Sequence, residues 1–468
     1  MLETITAVNG AVNGVVWGPL GLALLFGAGV MLSVRTGFFQ LVHFRYWMRQ
    51  TIGAIFTDRS VTAHTGTDDQ AISQFQSLCT ALAATIGTGN IVGVATAILS
   101  GGPGAVFWMW VSALLGMMTG CAEKLLSVRY RRAGPAGWLG GPMYYIRDGL
   151  KSPLLAGWFA LACLPATLTG GDMVQSSSIA AALQATFGWD RLAVGAAVAV
   201  LTGLVMVGGI GRIARVSSGL VPAMALLYLG GGAAVLAARA DQIPEAMALI
   251  FCSALRPEAA VGGGMGYTLA AALRYGVARG VFTNEAGLGT SAMAHAAAEV
   301  DCPARQGMWG IVEVCVSTLL VCTATALVIL VSGVYGPADA LVRGALGAVP
   351  PDRLGAPLTA AAFSSVLGPW GGAVVSLSLL LFAFSSILGW SWYGEQSILY
   401  LTGSRRLVPA YRLVFLSCVV LGSVWEGEAV WELVDLCNAL MAIPNLTALL
   451  LLSPQVLREL RDWERTGG

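Results

Sequence analysis

A long stretch without any charged side chain limits what this chain can fold into. No Asp, Glu, Lys or Arg lies between Asp69 and Glu123, and such an apolar run is typical of the membrane interior. Its middle, TIGTGN from Thr85 to Asn90, is nevertheless a poor sequence for a continuous helix. Glycines weaken a helical backbone, and the threonines and the asparagine add polar atoms.

In hydrocarbon, an unwound backbone is tolerated only where it is buried in protein or lines a cavity. We therefore predict that Thr85–Asn90 separates two half-helices that meet at a binding site. The alternative is a simple packing seam, because small residues also let helices approach closely.

The composition agrees with a membrane protein. The chain is 56% hydrophobic and 11% charged, and its mean hydropathy is +0.74, which predicts a polytopic membrane protein. A net charge of +1 does not favour a nucleic-acid partner. The nine cysteines include no CxxC pair, so we interpret them as small apolar residues rather than metal ligands or disulfides. The first apolar run follows the acidic Glu3, so no cleavable signal is expected.

Eleven apolar runs are long enough to be candidate membrane spans. Three of them exceed the length that a span needs, which predicts tilt or a short unwound turn. The runs are 13–34, 74–99, 103–128, 153–187, 192–211, 216–238, 265–297, 307–334, 370–402, 407–425 and 429–452, and the three long ones are 153–187, 265–297 and 370–402.

The basic residues alternate between successive connections. Since cytoplasmic loops are enriched in Lys and Arg, this alternation predicts an outside N-terminus and a cytoplasmic C-terminus. The basic residues assigned to the cytoplasmic side are Arg35, Arg45, Arg49, Arg59, Arg129, Arg131, Arg132, Arg147, Lys151, Arg212, Arg215, Arg305, Arg405, Arg406, Arg458, Arg461 and Arg465.

A second apolar run has the same kind of interruption. Within 265–297, the sequence GVFTNEAGLGT from Gly280 to Thr290 again places glycines and polar atoms at membrane depth. If the first span is set aside, each interrupted run opens a block of five helices, and the blocks have opposite orientations. This arrangement predicts an inverted repeat with the site between its halves.

The resulting plan divides the chain into five parts. An N-terminal span is followed by an amphipathic connection, expected to lie along the membrane surface, and glycines 262–264 end an extracellular loop as a hinge or turn. The parts are 1–73 (first span and connection), 74–238 (first repeat), 239–264 (loop), 265–452 (second repeat) and 453–468 (cytoplasmic tail).

Four long motifs resemble the alanine or glycine:cation symporter family, and the resemblance covers nearly the whole chain. They are GTGNIVGVATAILSGGPGAVFWMW from Gly87, GWLGGPMYYI from Gly137, GVARGVFTNEAGLGTSAMAHAAAE from Gly276 and FSSILGWSWYGE from Phe384. The resemblance implies an all-α, leucine-transporter-like fold with a five-plus-five inverted repeat and one extra N-terminal helix. It also implies sodium-coupled transport of small neutral amino acids.

Half-helix ends can bind both charges of an amino-acid zwitterion, because one end offers free N–H groups and the other offers carbonyls. We expect the N–H groups of Thr88 and Gly89 to bind the carboxylate, and the Phe282–Gly287 break to offer carbonyls to the ammonium. The full predicted substrate set is Thr85, Thr88, Gly89, Asn90, Gln175, Phe282, Thr283 and Trp390.

Two members of this set have plainer interpretations. The resemblance gives Gln175 a substrate contact, but an interhelical hydrogen bond is the alternative. Trp390 is a candidate wall or ceiling of the pocket, and ordinary packing is its alternative.

For sodium, the resemblance implies that the carbonyls of Ala83 and Ile86 meet the hydroxyls of Ser385 and Ser386. Hydroxyl bonds within the helix backbone are the alternative. Proton coupling would instead depend on a buried carboxyl group, and the candidates are Asp172, Glu123, Glu285 and Glu313.

Other charged residues at membrane depth have two interpretations each. Glu123 and Lys124 form either a gate or a snorkelling helix end, and we favour the helix end. Arg274 and Arg279 form a gate or a structural pair with Glu285. His295 is interpreted as structural, because no second ligand at metal-binding spacing supports it.

Together with the apolar spans, the resemblance implies a monomeric symporter of the inner membrane, without a cofactor, that imports alanine, glycine, serine or D-alanine with sodium. Proton coupling and a preference for glutamine are alternatives within the same fold. An amino-acid-gated channel or a sensor is a more distant alternative. No convincing dinucleotide, nucleophile-elbow or HExxH motif occurs, so an enzyme is not expected.

Overall fold

The computed structural model describes residues 18–63, 71–134, 137–255, 269–335, 351–425 and 428–465, and most of these residues are helical. The main helices are α1 (Pro19–Arg35), α2 (Gln74–Thr85), α3 (Val92–Gly101), α4 (Gly104–Arg129), α5 (Pro142–Gly149), α6 (Pro153–Leu168), α7 (Val174–Phe187), α8 (Arg191–Met206), α9 (Gly209–Ala238), α10 (Ile243–Leu255), α11 (Leu269–Asn284), α12 (Ala292–His295), α13 (Pro303–Val314), α14 (Thr323–Val331), α15 (Pro351–Leu367), α16 (Pro369–Thr402), α17 (Val408–Val424) and α18 (Glu428–Arg465).

Seven helical stretches in this described part are long and apolar enough to cross a membrane. Four shorter helices are also apolar, and they include α3, the second half of an interrupted span. The chain is thus a multi-pass membrane protein, and the number of eleven crossings stays a prediction. The seven stretches are Gly104–Arg129, Pro153–Phe187, Gly209–Ala238, Pro303–Val331, Pro369–Thr402, Arg405–Val424 and Leu433–Arg465.

The three overlong runs behave differently. The first contains a π-helical turn, Thr169–Met173, between α6 and α7, and the second is interrupted after α11. The third is the single helix α16, which continues for 34 residues. The helix that contains the predicted span 216–238 begins earlier than that span, because α9 starts at Gly209 and its first turns contain Arg212 and Arg215.

The connections contain more structure than their sequence suggests. Between α4 and α6, a short antiparallel hairpin, β1 (Arg132–Gly134) and β2 (Gly137–Leu139), precedes α5. Arg132 pairs in register with Leu139, and Gly134 with Gly137. The glycines at 262–264, predicted to form a hinge or turn, lie outside the described residues.

The connection between α1 and α2 consists of short helical turns, Phe39–Val42, Phe44–Met48, Arg49–Gly53, Ala54–Thr57 and Arg59–Thr62. Arg305, at the start of α13, donates a hydrogen bond of 2.6 Å to the Asp58 carboxylate and lowers the pKa of that group. This ion pair attaches the connection to the second repeat.

Backbone hydrogen bonds connect the residues just before the first interrupted segment with those at the end of the second. Ser73 and Gln76 form a reciprocal capping box that starts α2. Just before it, Ile72 forms a parallel bridge to Ala298, with backbone bonds of 3.0 Å to the Ala297 oxygen and 2.8 Å from the Glu299 nitrogen. The start of the first broken segment is therefore fixed to the end of the second.

Corresponding helices of the two predicted repeats pack on each other: α4 against α13, α7 against α16, and α8 against α17. The contact of α4 with α13 is close because glycines face each other. A Cβ atom on Gly310 would lie only 2.5 Å from the carbonyl oxygen of Gly120. Small residues allow this backbone approach in lipid.

We expect Gly310→Ala to lower the melting temperature of the purified protein in detergent. The added methyl group must push α4 and α13 apart, and overpacking of this kind costs about 1–3 kcal/mol. The matched control is Gly219→Ala, at an exposed position of α9 where the added Cβ atom would meet no neighbouring element within 4 Å. Equal melting temperatures for Gly310→Ala and wild type would contradict the close contact.

Candidate functional site

The first interruption lies where the sequence predicts it. Helix α2 ends at Thr85, Gly87 is extended, and Thr88–Asn90 form one 3-10 turn before α3 begins at Val92. All residues from 85 to 92 are buried. Unwound backbone is therefore enclosed by protein, which is the condition under which it is tolerated at membrane depth.

Asn90 holds the break in shape. Its Oδ1 accepts a hydrogen bond of 3.1 Å from the Gly87 nitrogen, and its Nδ2 donates to the Ser317 carbonyl at 2.9 Å. Thr325 donates to the Asn90 carbonyl at 2.8 Å. Ser317 belongs to a π-helical segment, Cys315–Cys322, between α13 and α14. The polar groups of Asn90 thus connect the break to the second repeat and are engaged within the protein.

Gln175 reaches the break from α7. Its Oε1 accepts a hydrogen bond of 3.2 Å from the Thr88 nitrogen, and its Nε2 donates to the Gly170 carbonyl at 3.0 Å. Gly170 lies in the π-helical turn before α7, where the helical bonding is displaced. The Thr88 hydroxyl is buried and has no hydrogen-bond partner among the described residues. One peptide N–H, one amide and one hydroxyl therefore converge here.

Phe282 and Thr283 pack on the other side of the same turn. A Cβ atom on Gly89 would lie 2.7 Å from the Phe282 ring and 3.3 Å from the Thr283 methyl. Glycine is therefore required for the close approach of α11. The Thr283 hydroxyl donates to the Gly280 carbonyl at 2.8 Å, so this hydroxyl is already hydrogen-bonded to the backbone of its own helix.

The second interruption begins later than predicted. Phe282 and Thr283 belong to α11, which continues to Asn284, and the irregular stretch runs from 285 to 291. Helix α12 has only four residues. The predicted break at Phe282–Gly287 is wrong in its first three residues because left-handed conformations begin only at Glu285, with φ of 54°, and continue at Gly287 and Gly289.

Trp390 faces the π-helical turn. A Cβ atom on Gly171 would overlap its indole ring, and the ring is 5% exposed. Tyr393 contacts it edge-on, with 5.6 Å between ring centroids. Trp390 thus braces the turn whose Gly170 carbonyl orients Gln175, and both roles considered for it, wall and packing, fit this position.

The predicted cation site is brought together in part. Ser385 Oγ lies 3.1 Å from the Ala83 carbonyl oxygen and 2.8 Å from that of Phe382. Ser386 Oγ lies 2.7 Å from the Ala84 carbonyl oxygen, so Ala84 provides the contact that was expected from the Ile86 carbonyl. The last carbonyls of α2 therefore face two hydroxyls of α16, and all five residues are buried.

A cavity of about 480 Å³ opens beside the first break. It lies between α7, α15, α16 and α17, with Arg191 at one side. Its walls include Val92, Met173, Ser177, Pro357 and Ser376. Val92 directly follows the first break, and Met173 is the last residue of the π-helical turn.

The interpretation of Glu123 and Lys124 as a snorkelling helix end is wrong, because both side chains are 0% exposed. Glu123 Oε1 accepts hydrogen bonds from the Gly287 nitrogen at 2.9 Å and from Asn445 Nδ2 at 2.7 Å. Tyr145 donates in turn to Asn445 Oδ1. These residues hold the second interruption in place.

Asn445 and Tyr145 were not predicted as site residues. An amide inside the apolar run 429–452 is the signal that could have revealed Asn445, since polar groups at membrane depth need partners. Tyr145 lies between the predicted spans 103–128 and 153–187, where the sequence predicts no helix. Its helix, α5, could not be inferred from a sequence rich in glycine.

The arginines of α11 do not supply the predicted partner of Glu285. Arg279 lies 4.0 Å from Asp435, and Arg274 lies over the ring of Tyr275. Glu285 instead accepts a hydrogen bond from the Thr290 hydroxyl. His295 lies 3.3 Å from Glu313 and 2.6 Å from Gln306, which agrees with its structural interpretation.

Comparison with known proteins gives a consistent result. The profile described as "Sodium:alanine symporter family" matches residues 2–467. A sodium/alanine symporter, AgcS, of Methanococcus maripaludis is 40% identical over 98% of this chain and 97% of its own length. A probable sodium/glutamine symporter, GlnT, of Bacillus subtilis is 34% identical over 99% and 92%.

Among solved structures, a manganese transporter variant of Eremococcus coleocola matches with a TM-score of 0.51. It covers 86% of this chain and 82% of its own chain at 16% sequence identity, so the likeness concerns the fold alone. The predicted helical transporter fold of the leucine-transporter type is confirmed. With a family profile that spans the whole chain and relatives identical at 34–40% of positions, this protein belongs to the sodium:alanine symporter family.

Proposed function

We propose that this protein is a secondary active symporter that imports a small neutral amino acid together with sodium by alternating access. The observation that carries the proposal is the enclosed break at Thr88–Asn90, which Gln175 contacts. Family membership supports cation-coupled amino-acid symport in general. The inward sodium gradient and the membrane potential would drive uptake, at about 2.3 kcal/mol per charge per 100 mV.

The substrate would bind at the first break. Its carboxylate would accept hydrogen bonds from the Gly89 N–H and, in place of Gln175 Oε1, from the Thr88 N–H, where the half-helix also contributes a positive dipole end. The amide of Gln175 already contacts Thr88 and can both donate and accept. The second observation that favours a ligand here is the buried Thr88 hydroxyl, which has no hydrogen-bond partner in the described part of the chain.

The walls favour a small side chain. Phe282 packs against Gly89 and Trp390 packs against Gly171, so two aromatic rings limit the space near the break. Alanine, glycine, serine and D-alanine fit this restriction best. The relative AgcS is described as a sodium/alanine symporter and the relative GlnT as a probable sodium/glutamine symporter. Glutamine is therefore the competitor to test.

Sodium would bind between α2 and α16. The carbonyls of Ala83, Ala84 and Phe382 and the hydroxyls of Ser385 and Ser386 would form a neutral, oxygen-rich site. Hard oxygen ligands without full charges suit a monovalent cation. We propose the inner membrane as the location, with the N-terminus outside and a monomer as the working unit.

The decisive experiment is uptake of labelled alanine into proteoliposomes, with sodium and proton gradients imposed separately. We expect saturable uptake that requires inward sodium and is inhibited by excess glycine or serine. Uptake driven equally well by a proton gradient without sodium would contradict sodium coupling. Stronger inhibition by glutamine than by alanine would contradict the small substrate.

We expect Gln175→Leu to lower alanine uptake at least about tenfold, because a substrate lacking one charge-assisted hydrogen bond loses about 1.5–3 kcal/mol. The matched control is Gln184→Leu, the same change at an exposed position of α7. It should leave uptake unchanged. A Gln175→Leu variant that transports alanine like wild type would remove Gln175 from the site.

We expect Ser386→Ala to raise the sodium concentration for half-maximal uptake at least about fivefold, since one oxygen ligand worth about 1 kcal/mol is lost. Maximal uptake at saturating sodium should fall much less. Ser378→Ala, at a buried serine of the same helix, serves as control. Identical sodium curves for Ser386→Ala and wild type would refute this cation site.

A further inference from the structure

Five ionisable side chains form a buried cluster around the second interruption. Glu123 and Lys124 come from α4, Glu285 from the interruption, His295 from α12, and Glu313 from α13. Each of them is between 0% and 2% exposed. None of these groups takes part in the substrate or sodium site proposed above, so the cluster requires a separate explanation.

Lys124 is the central cation. Its Nζ lies 3.2 Å from Glu313 Oε2 and 3.5 Å from Glu123 Oε2. Glu123 is further stabilised by the Gly287 N–H and by Asn445, as described above. Both of these carboxylates therefore have a positive partner within 4 Å.

His295 bridges two neighbours in a neutral form. The Gln306 amide nitrogen lies 2.6 Å from Nδ1, which therefore accepts a hydrogen bond, while Nε2 lies 3.3 Å from Glu313 and donates to it. One ring proton satisfies both contacts, so the imidazole adds no positive charge to the cluster.

Glu285 is the carboxyl group without a cation. Among the described residues, no Lys, Arg or His lies within 4.0 Å of its oxygens, and its hydrogen bond comes from the hydroxyl of Thr290. The other titratable groups that face it are neutral, Tyr393 of α16 and Cys163 of α6, and α18 contributes an amide at Asn445. Lys124 acts on Glu285 only from a distance and is paired with Glu123 and Glu313, so no cation of the described residues is left to pair with Glu285.

The charges of the cluster do not balance. Three carboxylates against one ammonium and a neutral imidazole give a net charge of −2 if every acid is ionised. Burial of an uncompensated carboxylate is so costly that such groups take up a proton instead. A metal ion does not fit this place, since Lys124 already occupies it and the described residues include no cluster of three metal-ligating side chains.

We propose that Glu285 is a proton-binding site, occupied while the second interruption is closed and emptied when that interruption opens to water. The O–H bond of the carboxylic acid then breaks, water accepts the proton, and a solvated carboxylate remains. Glu285 is well placed for this change because it is the first residue after α11, in a left-handed conformation. The proposal rests on the symport function only in that opening belongs to the transport cycle.

The consequence is a transport rate that depends on pH. At high pH the deprotonated cluster resists burial, and the closed state becomes scarce. We expect sodium-driven alanine uptake by wild type to fall at least about fivefold between about pH 6 and about pH 9, and that of Glu285→Gln to fall less than about twofold. Glutamine keeps the size of the side chain and can still accept the hydrogen bond of Thr290.

Two further variants make the comparison specific. Glu245→Gln removes an exposed carboxylate and should retain the wild-type pH profile. Asp172→Asn tests a second buried acid, whose two carboxylate oxygens have no hydrogen-bond partner among the described residues. If the uptake of Glu285→Gln depends on pH as that of wild type does, the proposal is overturned. If, in addition, the uptake of Asp172→Asn no longer depends on pH, Asp172 is the proton-binding group instead.

A substrate-free measurement separates this inference from the proposed function. An unfolded glutamate loses its proton above about pH 4.3, while the native protein would keep the proton on Glu285. Stability must then fall as pH rises, since the native state binds the extra proton. The melting temperature of wild type should therefore drop more steeply from pH 6 to pH 9 than that of Glu285→Gln, even if neither transports alanine. Parallel slopes would refute the proton site whatever the substrate is.

Discussion

Peptide groups that lose their helical partners inside a membrane must find other ones, and the structure around Thr85–Asn90 depends on this requirement. Asn90 accepts from the Gly87 nitrogen, Gln175 accepts from that of Thr88, and Thr325 donates to the carbonyl of Asn90. These partners come from both predicted repeats. The break can therefore exist only where the two repeats meet, and its position fixes their relative placement.

The two interruptions satisfy the same requirement with different chemistry. Around the first, the partners are neutral amides and hydroxyls, and they leave N–H and carbonyl dipoles for a ligand. Around the second, Glu123 accepts from the Gly287 nitrogen within a cluster of five ionisable groups. A neutral polar site can exchange a zwitterion and a monovalent cation at little cost, whereas a charged cluster cannot be solvated and buried again without a change in its protons.

Much of this arrangement can be predicted from local sequence. Paired glycines with threonine and asparagine identify the first break, because this signal acts within a few residues, while the topology read from the alternating arginines stays a prediction. The predicted start of the second break at Phe282 is wrong, since helix α11 packs against α4 up to Asn284 and ends only where the left-handed residues begin. The partners Asn445 and Tyr145 depend on contacts across 300 and more residues, which no local pattern contains.

The direct link between the two interruptions is α11, whose Phe282 ring packs on Gly89 while its end leads into Glu285. Motion that opens the second interruption must displace this end, and with it the ring that closes the first site. The reverse also holds, because coupling between two sites is reciprocal. Filling the first break with a ligand would then favour the conformation in which Glu285 is enclosed. A proton and an amino acid would influence each other's binding through one rigid helix, although no residue would contact both of them.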